Sequence, residues 1–359
     1  MRRLVGVVVV LVALGASSVL LLFSVPALQD AVIGRVIARL VALNSDALFA
    51  DDALRVALCG SSAPLPDPTR AKACVAVFAA GKFWVVDTGP QSWNRLALMR
   101  VDGKRIGAIM YTHFHSDHIA ELGEFNLQTW GAGRPEPLKV YGPPGVERLV
   151  AGFQEAYELD TGYRIAHHGA DFLPPSIEKM QAIPVVAPPG AKPVVVLEEG
   201  GLIITAFSVN HEPVTPAYGY RFDYKGRSVV VSGDTAKSPG LIAAAHGADV
   251  LVHEAQDNHL IAMIGDAAHA AGRERVAKIM HDIPSYHTTP VQAAETANEA
   301  GVRLLVMYHL NPPPPNQLAA RVFVRGVAEV RPKGWVLGDD GMLVTLPAGS
   351  DQVRVTTVQ

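Results

Sequence analysis

Three imidazoles and a carboxylate fall within six consecutive positions, as His113, His115, Asp117 and His118. They directly follow an apolar run, which we expect to be a β-strand. Side chains alternate along a strand, so His113 and His115 point the same way while the backbone stays extended. Asp117 and His118 would lie in the following turn and point to a neighbouring position. Imidazole and carboxylate are ligands for zinc, iron or manganese, so this loop could serve two adjacent metal ions. A histidine-rich surface loop is the alternative.

Four other polar residues stand where an apolar run stops: His211, Asp234, His253 and His309. In open α/β sheets, ligands bind at the carboxyl ends of the strands. Each residue has a structural alternative, since Asp234 could cap a helix and His309 could simply end a strand. Taken with the first cluster, they supply the number of ligands that a two-metal site needs.

The elements that position these residues alternate between strands and helices. Strands come first, and a strand-and-helix pattern is then repeated twice, which is typical of sheets covered by helices. We predict the main helices at residues 146–159, 240–246, 273–281 and 290–300. Residues 160–200 contain several prolines and predict an irregular insertion or lid.

The order of these motifs resembles the metallo-β-lactamase fold, specifically its tRNase Z and arylsulfatase-like branch. The motifs are H-x-H-x-D-H, a lone histidine, S-G-D-T, H-E-A and a histidine after the last long strand. The resemblance covers about residues 53–346. It implies an α/β fold, a four-layer αββα sandwich.

The resemblance also implies a role for each site residue. His113, His115 and His211 would hold the first metal, Asp117, His118 and His309 the second, and Asp234 would bridge both. The ions would be two divalent metals, with zinc favoured and manganese or iron as alternatives. A metal-bridging hydroxide would attack the substrate, with Asp117 and His253 as the catalytic residues and His253 handling the proton. Asp87 would orient ligands from beneath the site, and His287 would lie near the substrate pocket.

Charge guides the choice of substrate. The net charge is −3, and residues 158–200 carry three basic side chains against six acidic ones. This is the wrong sign for gripping RNA phosphates, so nucleic acid is an unlikely partner. We expect hydrolysis of small phosphodiesters or sulfate esters. The alternatives are a β-lactam or lactone hydrolase, a tRNase Z-type endoribonuclease and a non-enzymatic metal-binding scaffold of the cell envelope.

The N-terminus predicts a membrane segment. Residues 4–23 carry no charge and follow Arg2 and Arg3, and a run of this length can cross a bilayer of ~30 Å. We expect a transmembrane helix within residues 1–27, a juxtamembrane amphipathic helix at 28–52 and the hydrolase domain at 53–359. The protein would be exported to the periplasm or the outer face of the inner membrane, either anchored by residues 4–23 or released by cleavage.

Two further expectations concern association and covalent linkage. A second copy of the chain is a candidate partner, as is the membrane. Cys59 and Cys74 are the two cysteines of the chain. In an exported protein we expect such a pair to form a disulfide, with two buried thiols as the alternative.

Overall fold

A computed structural model describes residues 21–190 and 192–358. The chain divides into two compact units, Met1–Ser45 and Asp46–Gln359. Within the first unit, helix α1 spans Pro26–Ala42, starts with a proline in its first turn and buries none of its residues. The predicted domain limits at residues 27 and 52 stay a prediction.

The expected transmembrane helix is not supported. Within residues 21–190 and 192–358, no helix combines the length and apolar character needed to cross a bilayer. Residues 4–20 of the predicted segment lie outside the described residues. The length of an uncharged run was the basis for that expectation, and the described helices do not bear it out.

The second unit contains two β-sheets whose strands follow the chain almost in order. The first sheet has the strand order β15-β14-β1-β2-β3-β4-β5-β6, and the second has the order β13-β12-β11-β10-β9-β8-β7. The strands of the first sheet are β1 Ala53–Gly60, β2 Cys74–Ala79, β3 Lys82–Val86, β4 Ile106–Met110, β5 Leu138–Gly142, β6 Met180–Pro184, β14 Met342–Pro347 and β15 Arg354–Thr357. Those of the second are β7 Val194–Glu199, β8 Leu202–Ser208, β9 Tyr218–Tyr224, β10 Arg227–Val231, β11 Val250–Gln256, β12 Leu304–Asn311 and β13 Trp335–Leu337.

Helices cover the outer face of each sheet. They are α2 Ser92–Leu98, α3 Ser116–Ile119, α4 Leu122–Gly131, α5 Val146–His168, α6 Pro175–Glu178, α7 Pro239–Ala244, α8 Asn258–Ala270, α9 Glu274–Asp282, α10 Pro290–Glu299, α11 Gln317–Phe323 and α12 Val327–Val330. One buried apolar cluster joins the facing sides of the two sheets, and two more join each sheet to its helices. The predicted αββα sandwich is therefore correct.

The segment predicted to be an irregular lid is largely regular. Helix α5 continues to His168, and the strands β6 and β7 add one edge strand to each sheet. Prolines made this stretch look irregular, but two of them, Pro174 and Pro175, start helix α6. The acidic residues of this region thus lie on helices α5 and α6, in the turn between them and on strand β7, and not in an irregular lid.

A disulfide joins Cys59 at the end of β1 to Cys74 at the start of β2, as expected. Both cysteines are fully buried. The bridge closes a loop that pairs with the end of β12, where Ser61 O accepts from Leu310 N at 2.9 Å and Ala63 N donates to Leu310 O at 3.2 Å. This loop therefore supports the backbone next to His309.

Candidate metal centre

The first pair of histidines follows strand β4 directly. His113 is buried and His115 is half-buried, and their facing nitrogens, Nε2 of His113 and Nδ1 of His115, are 3.0 Å apart. Helix α3 is a single turn that carries Asp117 and His118, both buried. The sequence motif thus places all four side chains at one edge of the first sheet.

Asp234 reaches this edge from the second sheet. It follows β10 in a loop where Gly233 has φ +63°, and a Cβ on Gly233 would lie 2.6 Å from the carbonyl oxygen of Tyr218. Only glycine fits such a conformation and such a close approach without strain. One carboxylate oxygen of Asp234 lies 3.4 Å from Nε2 of His118 and 3.9 Å from Nε2 of His113.

His309 stands at an irregularity in strand β12. The pairing of β11 with β12 shifts register there, so that Glu254 faces Tyr308 while Ala255 faces Leu310. His309 has φ +45°, a conformation rare for residues other than glycine. The extra residue turns its side chain toward the site, where Nε2 lies 3.2 Å from Asp117 Oδ2 and Nδ1 lies 3.4 Å from Asp234 Oδ1.

The candidate ligands fall into groups whose ligand atoms lie within 4.8 Å of one another. These groups are His113, His115, His211 and Asp234; Asp117, His118 and His309; and Asp234, His287 and His309. Asp234 also lies close to His118, so its carboxylate stands between the first two groups. The seven residues that the resemblance assigned as ligands are thus brought together.

The hydrogen bonds around the imidazoles leave lone pairs facing the centre. Nδ1 of His118 donates to Asp87 at 2.8 Å, and Nδ1 of His211 donates to the carbonyl of Tyr286 at 2.9 Å. Thr112 gives its hydroxyl proton to Asp87 at 2.8 Å and so accepts from Nδ1 of His113 at 3.0 Å. In each ring Nε2 then carries the lone pair, as in a metal-ligating histidine oriented by an outer partner.

Buried polar atoms without a protein partner point to the same conclusion. Within the described residues, Nε2 of His211, Oδ1 of Asp234 and Nδ1 of His309 are buried and make no hydrogen bond. Such atoms are costly to bury unless something satisfies them. Imidazole nitrogens and carboxylate oxygens together fit a divalent transition metal.

The charges in the centre are also suited to a cation. Burial lowers the pKa of His113 well below its ordinary value, and burial is the largest cause of the lowered pKa of His115 and His211. Burial opposes ionisation of Asp117, but the neighbouring His118 and His309 lower the pKa of its carboxyl to about 2. Burial also lowers the pKa of His118, but the surrounding carboxylates outweigh burial and raise it well above its ordinary value. Metal binding requires neutral imidazoles and ionised carboxylates, so His113, His115, His211 and Asp117 are already in the required state, and a metal would displace a proton from His118.

The structure does not bring His253 to this centre. Strand β11 extends to Gln256, so His253 lies within the strand and not at its end. Val250 and Val252 face the core between the sheets, whereas Leu251 faces the helix layer. Alternation places His253 on the helix side, where it is fully buried and its Nδ1 contacts the backbone oxygen of Glu254 at 2.7 Å.

The same alternation brings Glu254 to the site, and the sequence analysis assigned it no role. Its Oε1 accepts from Nδ1 of His287 at 2.8 Å and from the backbone N–H of Thr235 at 3.0 Å. Burial lowers the pKa of His287, but the neighbouring carboxylates, Glu254 foremost, outweigh burial and raise that pKa to about 8. The strand alternation across H-E-A, with a correct strand end, would have identified Glu254.

Comparison with known proteins gives one family and several relatives. Residues 84–310 match the family model described as "Beta-lactamase superfamily domain". The chain is 37% identical to a protein named Ribonuclease Z from Mycobacterium bovis (strain BCG / Pasteur 1173P2), over 72% of this chain and 86% of the relative. It is 36% identical to Ribonuclease Z from Mycobacterium avium (strain 104), with the same coverage. The fold is similar to that of the short form of human tRNase Z, with a TM-score of 0.57 and 21% identity over 82% of this chain and 99% of that one.

These relatives correct two expectations. Their name refers to RNA, which overturns the expectation that nucleic acid is an unlikely partner. The net charge of residues 158–200 was a poor guide to the substrate, because it describes one segment and not the surface around the metal centre. The expected exported location and membrane partner are not supported either, since both depended on the N-terminal helix.

Proposed function

The chain belongs to the β-lactamase superfamily and is a metal-dependent hydrolase of the tRNase Z branch, and from this premise we propose that it hydrolyses phosphodiester bonds in RNA. The observation that carries the proposal is the pair of ligand groups on either side of Asp234, with His287 beside them. Two ions held close together are suited to in-line displacement at phosphorus, because one oxygen attacks while another leaves.

We propose two divalent ions, with zinc favoured over manganese or iron. His113, His115 and His211 would hold one ion, Asp117, His118 and His309 the other, and Asp234 both. When bound, the metals supply Lewis-acid activation of water and neutralise charge on the phosphoryl oxygens. Asp87 orients His118 directly and His113 through the hydroxyl of Thr112.

His287 is placed to donate a proton to the leaving oxygen. Its Nδ1 is bound to Glu254, which leaves Nε2 for the substrate side, and its ring lies 5.2 Å from that of His211 and 5.9 Å from that of His309, centroid to centroid. A pKa near 8 keeps the ring protonated at neutral pH, and a general acid works best with a pKa close to the working pH. We therefore assign the proton-donor role to His287 instead of His253.

RNA is favoured over the other substrates by the relatives named Ribonuclease Z. That name corresponds to the endoribonuclease alternative of the sequence analysis. Small phosphodiesters share the same reacting group and are the second candidate. Sulfate esters and lactams have no observation of their own in their favour.

The test is a substrate panel on the full chain with zinc or manganese. The panel contains a structured RNA with a 3′ extension, an aryl phosphodiester, an aryl sulfate and a lactam. We expect the highest kcat/KM on the RNA, a large loss in His287→Asn and none in His281→Asn, whose ring is 90% exposed. Turnover of the lactam or sulfate without RNA cleavage would overturn the proposal.

A further inference from the structure

The exposure of the site residues shows where the metal centre opens. Six of the seven candidate ligands are buried, as are His287 and Glu254. His115 and Tyr286 are half-buried, so they are the residues of this cluster that reach solvent. Both lie next to His211, whose ring is 5.3 Å from that of His115 and 4.7 Å from that of Tyr286.

Tyr286 is fixed at this opening by its neighbours. Its ring contacts His211 edge-on, with an angle of 88° between the planes, and lies 4.7 Å from the ring of His287 at an angle of 51°. Its carbonyl oxygen accepts the Nδ1 proton of His211. The ring is thus held between a candidate metal ligand and the proposed proton donor, while part of it remains accessible.

An aromatic ring in this position has a natural partner in a nucleic acid. A phosphodiester that reaches the metals carries a nucleotide on at least one side, and that nucleotide must lie near the opening. Proteins bind unpaired bases largely by stacking them on aromatic side chains. Stacking tolerates any base, because every base has a π-face.

We propose that the exposed part of the Tyr286 ring stacks on the nucleobase next to the scissile phosphodiester and so determines specificity for nucleotides over simple esters. This role rests on the proposed action on RNA. Tyr286 would act by binding the substrate and not by transferring the proton to the leaving oxygen or by holding the metals. Its replacement should therefore change KM and not kcat.

The test compares two RNAs that differ at one position, one with a base next to the cleaved bond and one with an abasic ribose there. Three variants of the full chain are measured with wild type: Tyr286→Leu, Tyr286→Phe and Tyr163→Leu. The control residue Tyr163 lies on helix α5 and is 69% exposed. The backbone carbonyl that accepts from His211 is retained in both Tyr286 variants. The amount of metal bound per chain is measured to check that the candidate ligands remain in place.

We expect Tyr286→Leu to raise KM on the base-containing RNA by about five- to a hundred-fold, the range measured when stacked aromatics are replaced. Its kcat and metal content should stay near wild type, and on the abasic RNA it should match wild type. Tyr286→Phe and Tyr163→Leu should behave as wild type throughout. An equal loss by Tyr286→Leu on both RNAs, or an equal loss by Tyr286→Phe, would overturn the stacking role. Failure of wild type to cleave either RNA would instead overturn the proposed function.

Discussion

Glu254→Gln isolates the electrostatic contribution of one buried carboxylate to the proposed proton donor. Glu254 Oε1 accepts from Nδ1 of His287 and from the backbone N–H groups of Thr235 and Thr288, at 2.8, 3.0 and 3.3 Å. A glutamine retains an oxygen for these donors but carries no charge. The local geometry should therefore persist while the imidazolium loses its counter-ion.

The structure sets the size of the effect. Burial lowers the pKa of His287 from its ordinary 6.5, and the carboxylates of Glu254, Asp234 and Asp117 together raise it to about 8, with Glu254 contributing most. In Glu254→Gln the largest raising contribution is lost while Asp234 and Asp117 remain, so the pKa should fall toward its ordinary 6.5. A fall over that whole interval is worth roughly 2 kcal/mol, because one pKa unit is worth about 1.4 kcal/mol. A raised pKa keeps the acid form up to about pH 8, so activity that needs this form is lost as the pH rises through that value.

The assay is the pH dependence of kcat/KM for RNA cleavage. Wild type should lose activity above about pH 8. Glu254→Gln should lose it at a lower pH, shifted toward 6.5, and approach wild type in more acidic solution, with unchanged metal content. If the two profiles lose activity at the same alkaline pH, the assignment of the proton to the Glu254–His287 pair is refuted.

Three other changes test the site and its support. Asp234→Asn should release at least one metal ion per chain and lower turnover by about 100-fold or more, since replacing even an outer partner of a metal ligand can lower activity by that factor. Elemental analysis after dialysis measures the bound metal. Full metal occupancy in this variant would contradict the central position of Asp234. In His253→Asn, activity should still fall as the pH rises through about 8. In His287→Asn, the remaining activity should no longer show this fall, and pH–rate profiles of the two variants measure the difference. Gly233→Ala should lower the free energy of unfolding by about 1–3 kcal/mol more than Gly226→Ala does. Both glycines have positive φ, but of the two only Gly233 has neighbouring atoms that would clash with a Cβ. Equal decreases in the free energy of unfolding, measured by chemical denaturation, would refute the steric argument.

The candidate metal ligands could be selected from the sequence because their pattern is local. His113, His115, Asp117 and His118 lie in one strand-end loop, and the position of that loop is determined by the apolar run before it. His211 and Asp234 also follow strands, whereas His309 lies within β12 at an irregularity of the pairing. The end of an apolar run therefore identified all three as candidates, although it did not mark the end of the strand at His309. The spatial grouping around Asp234 needed the structure, since it depends on two sheets meeting at the same edge.

The Glu254–His287 pair could not be identified from the sequence because it depends on the exact end of one strand. A strand ending at Val252 would have placed His253 in a loop over the site. The observed strand continues to Gln256. Alternation along it then places His253 on the helix side and Glu254 on the side of the metal centre. A shift of one residue reverses the face on which a side chain lies.

The partner and the N-terminus were mispredicted for a common reason. Each inference relied on the composition of a segment without its context. The acidic residues of the region 158–200 are distributed over helices α5 and α6, the turn between them and strand β7, so their summed charge does not describe a single RNA-binding arm. The uncharged run at residues 4–23 had the length of a membrane span, but length alone did not establish one.

The most direct test of the account is RNA cleavage by the full chain in water enriched in ¹⁸O, with and without divalent metal. If the site hydrolyses the phosphodiester with water, the metal-loaded protein should cleave the RNA and place one ¹⁸O atom in the product phosphate. Removal of the metal by a chelator should stop cleavage, and added zinc or manganese should restore it. Cleavage that continues without metal, or a product without ¹⁸O, would contradict the account.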